Sequence, residues 1–436
     1  MMCLLLVRNQ YNARFPGRYA GTENSDRKEK LMSLRIETEA NRCLNCKKPM
    51  CMENCPVHTP IPHIIQMFKE NKVMEAGAEL FENNPMSVVC ATVCNHEAQC
   101  AGHCVLGKKD TPVQFYEIEK FVSDAYLSRI RPELAPKNGK RVAVIGSGPA
   151  GITVAVILAK NGYEVTIFER KNDIGGMLRY GIPEFRLSNT VIDRYKKLLN
   201  KFGVQIRLNT TIGGALVIDD LIRDGYDSVF IGTGAWRPRT LGVPGECLAN
   251  VHFGVSYLEN PAHHDLGETV AVIGMGNVAM DVARTAFRYG AQRVMLFSRG
   301  THVSASSQEI SYAKLDGAEM IFGKQISRIT PEGPWFKTSI IGEDGKITGY
   351  EDGEELVPAD SVIIAVSQRP RDKLILSTEQ LQGNAKGLLI VDENNMTTHE
   401  GVFAAGDVVS GPLTVVHAVE DAKKTAAAMM RYMESK

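Results

Sequence analysis

The stretch Arg141-Val-Ala-Val-Ile-Gly146-Ser-Gly148-Pro-Ala-Gly151 decides the fold. A run rich in β-branched residues leads into a glycine turn, and a helical stretch follows. Small residues allow the tight turn and let backbone N–H groups approach a pyrophosphate at the helix N-terminus. Ser147, Pro149 and Ala150 complete that turn. Eighteen residues after Gly151 (169 − 151) comes Glu169, at the end of the strand Glu164-Val-Thr-Ile-Phe168, with Arg170 beside it. A carboxylate there accepts a hydrogen bond from an adenosine ribose 2′-hydroxyl. Strand, turn, helix and terminal acid together predict a dinucleotide-binding βαβ unit.

The pattern returns 128 residues later (274 − 146) as Glu268-Thr-Val-Ala-Val-Ile-Gly274. Its turn reads Gly274-Met-Gly276-Asn277-Val278-Ala279, with alanine in the third small position. The following strand, Arg293-Val-Met-Leu-Phe297, ends in Ser298-Arg299 and not in an acid. A site with no carboxylate for the 2′-hydroxyl and a cation nearby leans toward a 2′-phosphate, hence NADP(H), with NAD(H) the alternative. Two such units predict an α/β protein with two Rossmann-like nucleotide-binding domains.

Three further strands are expected near the end of the chain: Ser361–Ala365, Leu388–Val391 and Gly401–Ala405, before a helix rich in Ala and Met. The last of these strands runs into Gly406-Asp407, where a carboxylate beside a glycine suits a sugar–phosphate hydroxyl. This tail is too short for another large domain, so it is expected to complete the first one. The resulting division is 1–135 for a helical cysteine-bearing domain, 136–250 with 366–436 for the first nucleotide domain, and 251–365 for the second. The Pro- and Gly-bearing run Arg131–Gly139 is the linker between helices and sheet.

The 436 residues suit two to four domains. Lys and Arg balance Asp and Glu at 50 each, so no net field draws the chain to nucleic acid or to an anionic membrane. Met1–Val7 is apolar only briefly before Arg8 interrupts it, and no span-length apolar run follows. A cytoplasmic protein without signal peptide or membrane helix is expected.

Eight of the ten cysteines lie between residues 43 and 104; Cys3 and Cys247 stand apart. Their spacing is Cys43-x2-Cys46-x4-Cys51-x3-Cys55-Pro and Cys90-x3-Cys94-x5-Cys100-x3-Cys104. In a long chain without a secretory signal such crowding points to metal rather than disulfides. Dense thiolates with proline after one of them resemble iron–sulfur ligation. Structural zinc is the rival, with His96 and His103 close by. Unaided, the spacing assigns all eight cysteines as ligands, four to each of two clusters, and reads Glu119 as a solvated helical glutamate.

Several longer strings carry a family resemblance. They are the Cys43–Pro56 run, Asn84-Pro85 leading to Cys90, Cys94 to Cys104, Gly175-Gly-Met-Leu-Arg-Tyr-Gly-Ile-Pro-Glu-Phe-Arg186, Gly276-Asn-Val-Ala-Met-Asp281 and Ala405-Gly-Asp407. In these the chain resembles the flavoprotein family containing the small (beta) subunit of glutamate synthase. Relatives of that family are the N-terminal half of dihydropyrimidine dehydrogenase and the large subunit of NADH-dependent ferredoxin:NADP oxidoreductase. The resemblance implies a helical domain with two [4Fe–4S] clusters, an FAD domain and an NAD(P)H domain inserted into it. It implies one cluster on Cys43, Cys46, Cys51 and Cys104, and another on Cys55, Cys94, Cys100 and Glu119. Cys90 is then left unliganded. It implies FAD along Gly146, Gly148, Ala150 and Gly151 with Glu169 on the ribose. Gly176, Met177 and Leu178 would face the flavin with Arg186 nearby, and Gly406 and Asp407 would hold the ribityl–phosphate region. Gly276, Asn277, Val278 and Ala279 would meet the nicotinamide nucleotide. The chain departs from the family in having Arg299-Gly300 and Val303-Ser304 where members often carry two adjacent basic residues and a Met-Pro pair.

No convergent acid/base set stands outside these motifs, and no catalytic side chain is expected. Hydride exchange between a nicotinamide and a flavin needs stacking and orientation more than a protein acid. A disulfide reductase is disfavoured, because Cys247 is the only cysteine after residue 104. The expected role is an electron-transfer subunit that hands electrons to a larger protein partner. Glutamate synthase, a dihydropyrimidine dehydrogenase-like reductase and an electron-bifurcating oxidoreductase are the options within it. An iron–sulfur redox sensor or scaffold is the alternative from another class.

Overall fold

The computed structural model describes residues 34–131 and 133–436. The expectations placed on Met1–Val7 and Cys3, and Pro132 of the linker, lie outside the described residues.

The chain first forms a group of helices: a helical stretch over residues 34–42, then α1 (Ile61–Lys69), α2 (Val73–Asn83), α3 (Ser87–Val93) and α4 (Phe115–Arg129). Helix α1 buries Ile61, Ile64, Ile65 and Phe68, the i, i+3, i+4, i+7 stripe of an amphipathic helix. Helix α4 buries Phe115, Ile118 and Val122 in the same way, with Glu119 inside that stripe. Two cores result. Ile36, Ile64, Leu80, Ile118 and Val122 form one among the helices, and Cys43, Cys51 and Cys104 pack against it. Met86, Val88, Val89 and Cys90 belong instead to the large core beneath the first sheet, with Val93 and Cys94 against it. The buried Tyr195 hydroxyl donates to Pro85 O at 2.8 Å and ties the two regions together.

The first sheet begins with β1 (Arg141–Ile145), helix α5 (Pro149–Lys160) and β2 (Glu164–Phe168), followed by β3 (Gln205–Arg207) and β4 (Ser228–Ile231). The second contains β5 (Val251–Phe253), β6 (Thr269–Ile273), helix α6 (Asn277–Arg288), β7 (Arg293–Phe297), β8 (Glu319–Ile321) and β9 (Ser361–Ile364). After it, β10 (Val402–Ala404) rejoins the edge of the first sheet, and α7 (Val415–Glu434) follows. The orders are β10-β4-β1-β2-β3 and β5-β9-β6-β7-β8, and every pairing in both is parallel. Central strands β1, β2, β6 and β7 each have four buried residues in a row, as sheets covered on both faces require.

Register positions the site. Ile145 pairs with Phe168, so Gly146 and Glu169 emerge side by side from the carboxyl ends of β1 and β2. Ile273 pairs with Phe297, which brings Gly274 level with Ser298 in the second sheet.

Two differences from the sequence reading stand out. The run Leu388–Val391 forms no ladder; isolated bridges from Leu389 to Gly383 and from Val391 to Thr397 hold it. An antiparallel unit, Lys324–Thr330, Gly333–Ile341, Ile347–Tyr350 and Glu355–Leu356, was not anticipated. It packs on the second sheet through Phe336, whose ring stacks on Phe297 at 4.4 Å.

Candidate functional site: a dinucleotide cavity beside two groups of thiols

One cavity of about 840 Å³ runs between the carboxyl ends of the two sheets. Gly146, Ser147, Gly148, Ala150, Glu169 and Arg170 line one end; Gly274, Gly276, Asn277 and Val278 line the other. The first turn is built for close approach. Gly146 has φ +97°, and a side chain on Gly151 would put its Cβ 2.0 Å from Gly146 O. A Cβ on Gly148 meets no atom within 4 Å, so the backbone there opens onto the cavity. The Glu169 carboxylate accepts from Ser147 N at 3.0 Å, Ser147 Oγ at 2.5 Å and Lys171 N at 2.8 Å. These bonds fix its position at the turn: Oε2 takes both bonds from Ser147, and Oε1, which accepts only from Lys171 N, keeps a lone pair for a hydroxyl.

Further along, Gly176 and Met177 form part of the wall, as do Gly406 and Asp407. Gly406 adopts φ +75° and aims Asp407 inward. Burial pushes the Asp407 carboxyl up to about 6, against the pull of Leu413 N, which donates to it at 3.2 Å. The first residues of α7 reach the same wall at Val415 and Ala418, so the positive end of a 20-residue helix faces the cavity. Leu178 is fully buried in the core instead, and Gly151 and Ala279 lie in the first turns of their helices behind the wall.

Arg186 stands at the cavity edge and joins the two nucleotide units. Its guanidinium donates to Asp281 Oδ2 at 2.6 Å and pairs with Glu309 at 2.8 Å. Arg284 pairs with Glu309 at 3.0 Å and Asp316 at 3.1 Å, and lies over the Phe185 ring. Asp281 is buried, with Oδ1 unpartnered, and burial pushes its carboxyl up to about 7 despite Arg186. In the sequence Asp281 lies inside the Gly276–Asp281 motif with no role attached, and Glu309 lies in no motif. The signal available was a charged residue one turn into a helix, amid the apolar run Val278–Ala283. Arg299 is exposed and lies off the cavity wall.

The cysteines fall into two groups that interleave along the chain. Cys43, Cys46, Cys51 and Cys104 share a small apolar pocket with Cys100 and His103 on its wall. Burial and the nearby Cys104 thiol push Cys51 up to about 11, and burial likewise raises Cys43 beside Cys46 and Cys104. Cys55, Cys94 and Cys100 instead surround Glu119, whose charge acts on all three. Glu119 is buried, and desolvation raises its carboxyl well above the usual range. That overturns its reading as a solvated helical residue: a buried glutamate with no cation beside it is held neutral, and ionises only where a positive group meets it.

Cys90 is buried against Cys94. The partnership lowers the Cys90 thiol and raises Cys94. Cys90 belongs with neither group's opening. His96 stacks on Tyr116 at 4.2 Å, and burial depresses its imidazole to about 4. Among the described residues no three of these side chains close on one point, as the ligands of a single ion do. Thiols gathered around a space, with like charges and little countercharge, fit a cationic multi-iron core better than one zinc.

The large cavity and the second thiol group adjoin. Val93 lines the cavity, and the next residue is Cys94. From the other side α7 places Lys423 against Asn83 Oδ1 at 2.9 Å, close enough for its charge to act on Cys55.

The sequence matches the pyridine nucleotide-disulphide oxidoreductase family over residues 119–220 and 140–422. Residues 22–130 match dihydropyrimidine dehydrogenase domain II, 4Fe-4S cluster. The chain is 33% identical to the glutamate synthase [NADPH] small chain of Halomonas elongata over 428 residues, covering 91% of this chain and 90% of that one. It is 32% identical over 414 residues to the NAD-dependent dihydropyrimidine dehydrogenase subunit PreT of Escherichia coli K12, covering 92% and 95%. The solved structure of Mycobacterium tuberculosis FprA in complex with NADPH shares the fold at 19% identity, with TM-score 0.58 over 69% of this chain and 85% of that chain. This chain therefore belongs to the family of glutamate synthase small chains, FAD- and [4Fe–4S]-containing NAD(P)H oxidoreductases of the pyridine nucleotide-disulphide oxidoreductase class.

Proposed function

We propose that this chain is the electron-transfer subunit of a larger enzyme, exchanging electrons between NADP(H) and a partner protein as a glutamate synthase small subunit does. The observation that carries the proposal is the cavity that holds both glycine turns and has Val93, next to Cys94, in its wall. The relatives named as a small chain and as a subunit support a larger partner.

In this reading residues 1–135 hold the clusters, 136–250 with 366–436 hold FAD, and 251–365 hold the nicotinamide nucleotide. Gly146, Ser147, Gly148, Pro149, Ala150 and Gly151 would cradle the FAD pyrophosphate, Glu169 its ribose, and Asp407 the ribityl chain. Gly274, Gly276, Asn277 and Val278 would receive the dinucleotide, with Arg299 meeting the 2′-phosphate. Cys43, Cys46, Cys51 and Cys104 would ligate one cluster; Cys55, Cys94, Cys100 and Glu119 would ligate the other. When bound, FAD and the clusters supply conversion between paired and single electron transfer.

The chain's own part is orientation and exclusion of water. Gly176 and Met177 form the wall that would meet the flavin, and Arg186 holds the second unit against it through Asp281. The test is anaerobic rapid mixing of loaded protein with NADPH. Bleaching of the flavin band followed by a cluster signal supports the proposal. Flavin reduction with no reducing equivalent reaching the clusters contradicts it.

A further inference from the structure

The pocket shared by Cys43, Cys46, Cys51 and Cys104 has an apolar lip. Leu44 (62% exposed), Met50 (46%) and Val105 (37%) line that pocket and also face water. Single apolar side chains on a surface need no explanation. Three from two separate segments meeting over one pocket form a patch.

Charge surrounds it. Lys47, Lys48, Lys108 and Lys109 on the same two segments are exposed, and among the described residues none of them has an ion-pair partner. Lys69, also exposed, is close enough for its charge to act on the Cys43 thiol. No acid occurs within residues 43–51 or 103–109, and Asp110 just beyond is paired with Arg42. The surface is thus apolar at its centre and basic at its rim.

Resting on the reading that these thiols hold a cluster, we propose that this patch is the docking face for a one-electron protein acceptor whose contact surface has an apolar centre and an acidic rim. The lip opens onto this group, with Cys100 of the other group on the same pocket wall. Each NAD(P)H oxidised to NAD(P)⁺ releases one proton and two electrons, so two acceptor molecules gain one electron each. Other occupants fit less well. A second copy of the chain would set lysines against lysines across a two-fold axis. Residues 1–33 carry six Lys and Arg against three Asp and Glu, so they too bring net positive charge.

The test follows NADPH-driven reduction of three probes by the full, cofactor-loaded chain: acidic flavodoxin, basic cytochrome c and uncharged menadione. The expected result is flavodoxin reduction whose kcat/KM falls as salt rises. Combining Lys47→Glu, Lys48→Glu, Lys108→Glu and Lys109→Glu should lower that kcat/KM by about tenfold or more and favour cytochrome c. Menadione reduction and iron content should stay unchanged. Flavodoxin reduction indifferent to charge reversal, with menadione reduction intact, overturns the docking face alone. Loss of a dimer on charge reversal assigns the patch to a second copy and overturns it too. If the combined variant does not fold, a flat salt profile of the unsubstituted protein is the overturning result. Absence of iron from the unsubstituted protein overturns both this proposal and the reading beneath it.

Discussion

Arg186 Nη1 lies 2.6 Å from Asp281 Oδ2, and this pair joins the loop after β2 of the first sheet to helix α6 of the second unit. The two residues are 95 apart in sequence, yet both line the cavity proposed to seat flavin and nicotinamide. A buried ion pair adds less to stability than to geometry, because desolvation offsets most of its attraction.

That balance predicts a pH dependence. Burial moves the Asp281 carboxyl from 3.8 up to about 7, so between those values the folded chain keeps a proton that the unfolded chain has released. Its contribution to stability is complete below about pH 4 and is lost as pH rises through about 7. Asp281→Asn should therefore flatten the fall in thermal midpoint between about pH 4 and pH 7. Parallel slopes for the two proteins would refute the assignment.

The two thiol groups predict a contrast between neighbouring cysteines. Cys94→Ala should remove about half of the bound iron, and Cys90→Ala should leave it in place at a stability cost of about 1–2 kcal/mol. Glu119→Ala should lose iron as Cys94→Ala does, whereas Glu117→Ala, on the same helix but paired with Arg35 instead of facing the thiols, should not. Iron per FAD measured on the four variants decides the matter.

Two glycines of one turn should fail in different ways. Gly151→Ala sets a Cβ 2.0 Å from Gly146 O, so backbone must move, and both folding and FAD binding should suffer, by about 1–3 kcal/mol in stability. Gly148→Ala meets no protein atom within 4 Å and should fold normally while holding FAD about tenfold more weakly. Melting curves with and without added FAD separate the two.

Nucleotide choice should rest on Arg299. Arg299→Gln should lower kcat/KM for NADPH by about tenfold and leave NADH nearly unchanged, since only NADPH carries the 2′-phosphate. Equal losses with both nucleotides would remove Arg299 from that role.

Periodic and local features were legible in the sequence. Strands β2 and β7 fall where the sequence predicted them, because parallel strands buried on both faces carry near-continuous apolar runs. The Gly146 and Gly274 turns were readable because close backbone approach tolerates little else. What the chain does across long separations was not. The Arg186–Asp281–Glu309 network needs three distant segments to meet, and no local pattern announces that. Local pattern hid the burial of Glu119 for the same reason, and only the family resemblance pointed to it: a glutamate between Ile118 and Lys120 looks like any helical surface position until Cys55, Cys94 and Cys100 come near it. The antiparallel unit left one usable signal, Asp344-Gly345 at the turn between two of its strands, where Gly345 takes φ +75°.

The central claim is that the thiols between residues 43 and 104 hold iron next to a flavin seated on the Gly146 turn. Iron, acid-labile sulfide and flavin measured together on anaerobically prepared protein test it most directly. Two four-iron clusters predict about eight iron and eight sulfide for each FAD. Protein that contains zinc, or FAD without labile sulfide, would contradict the account.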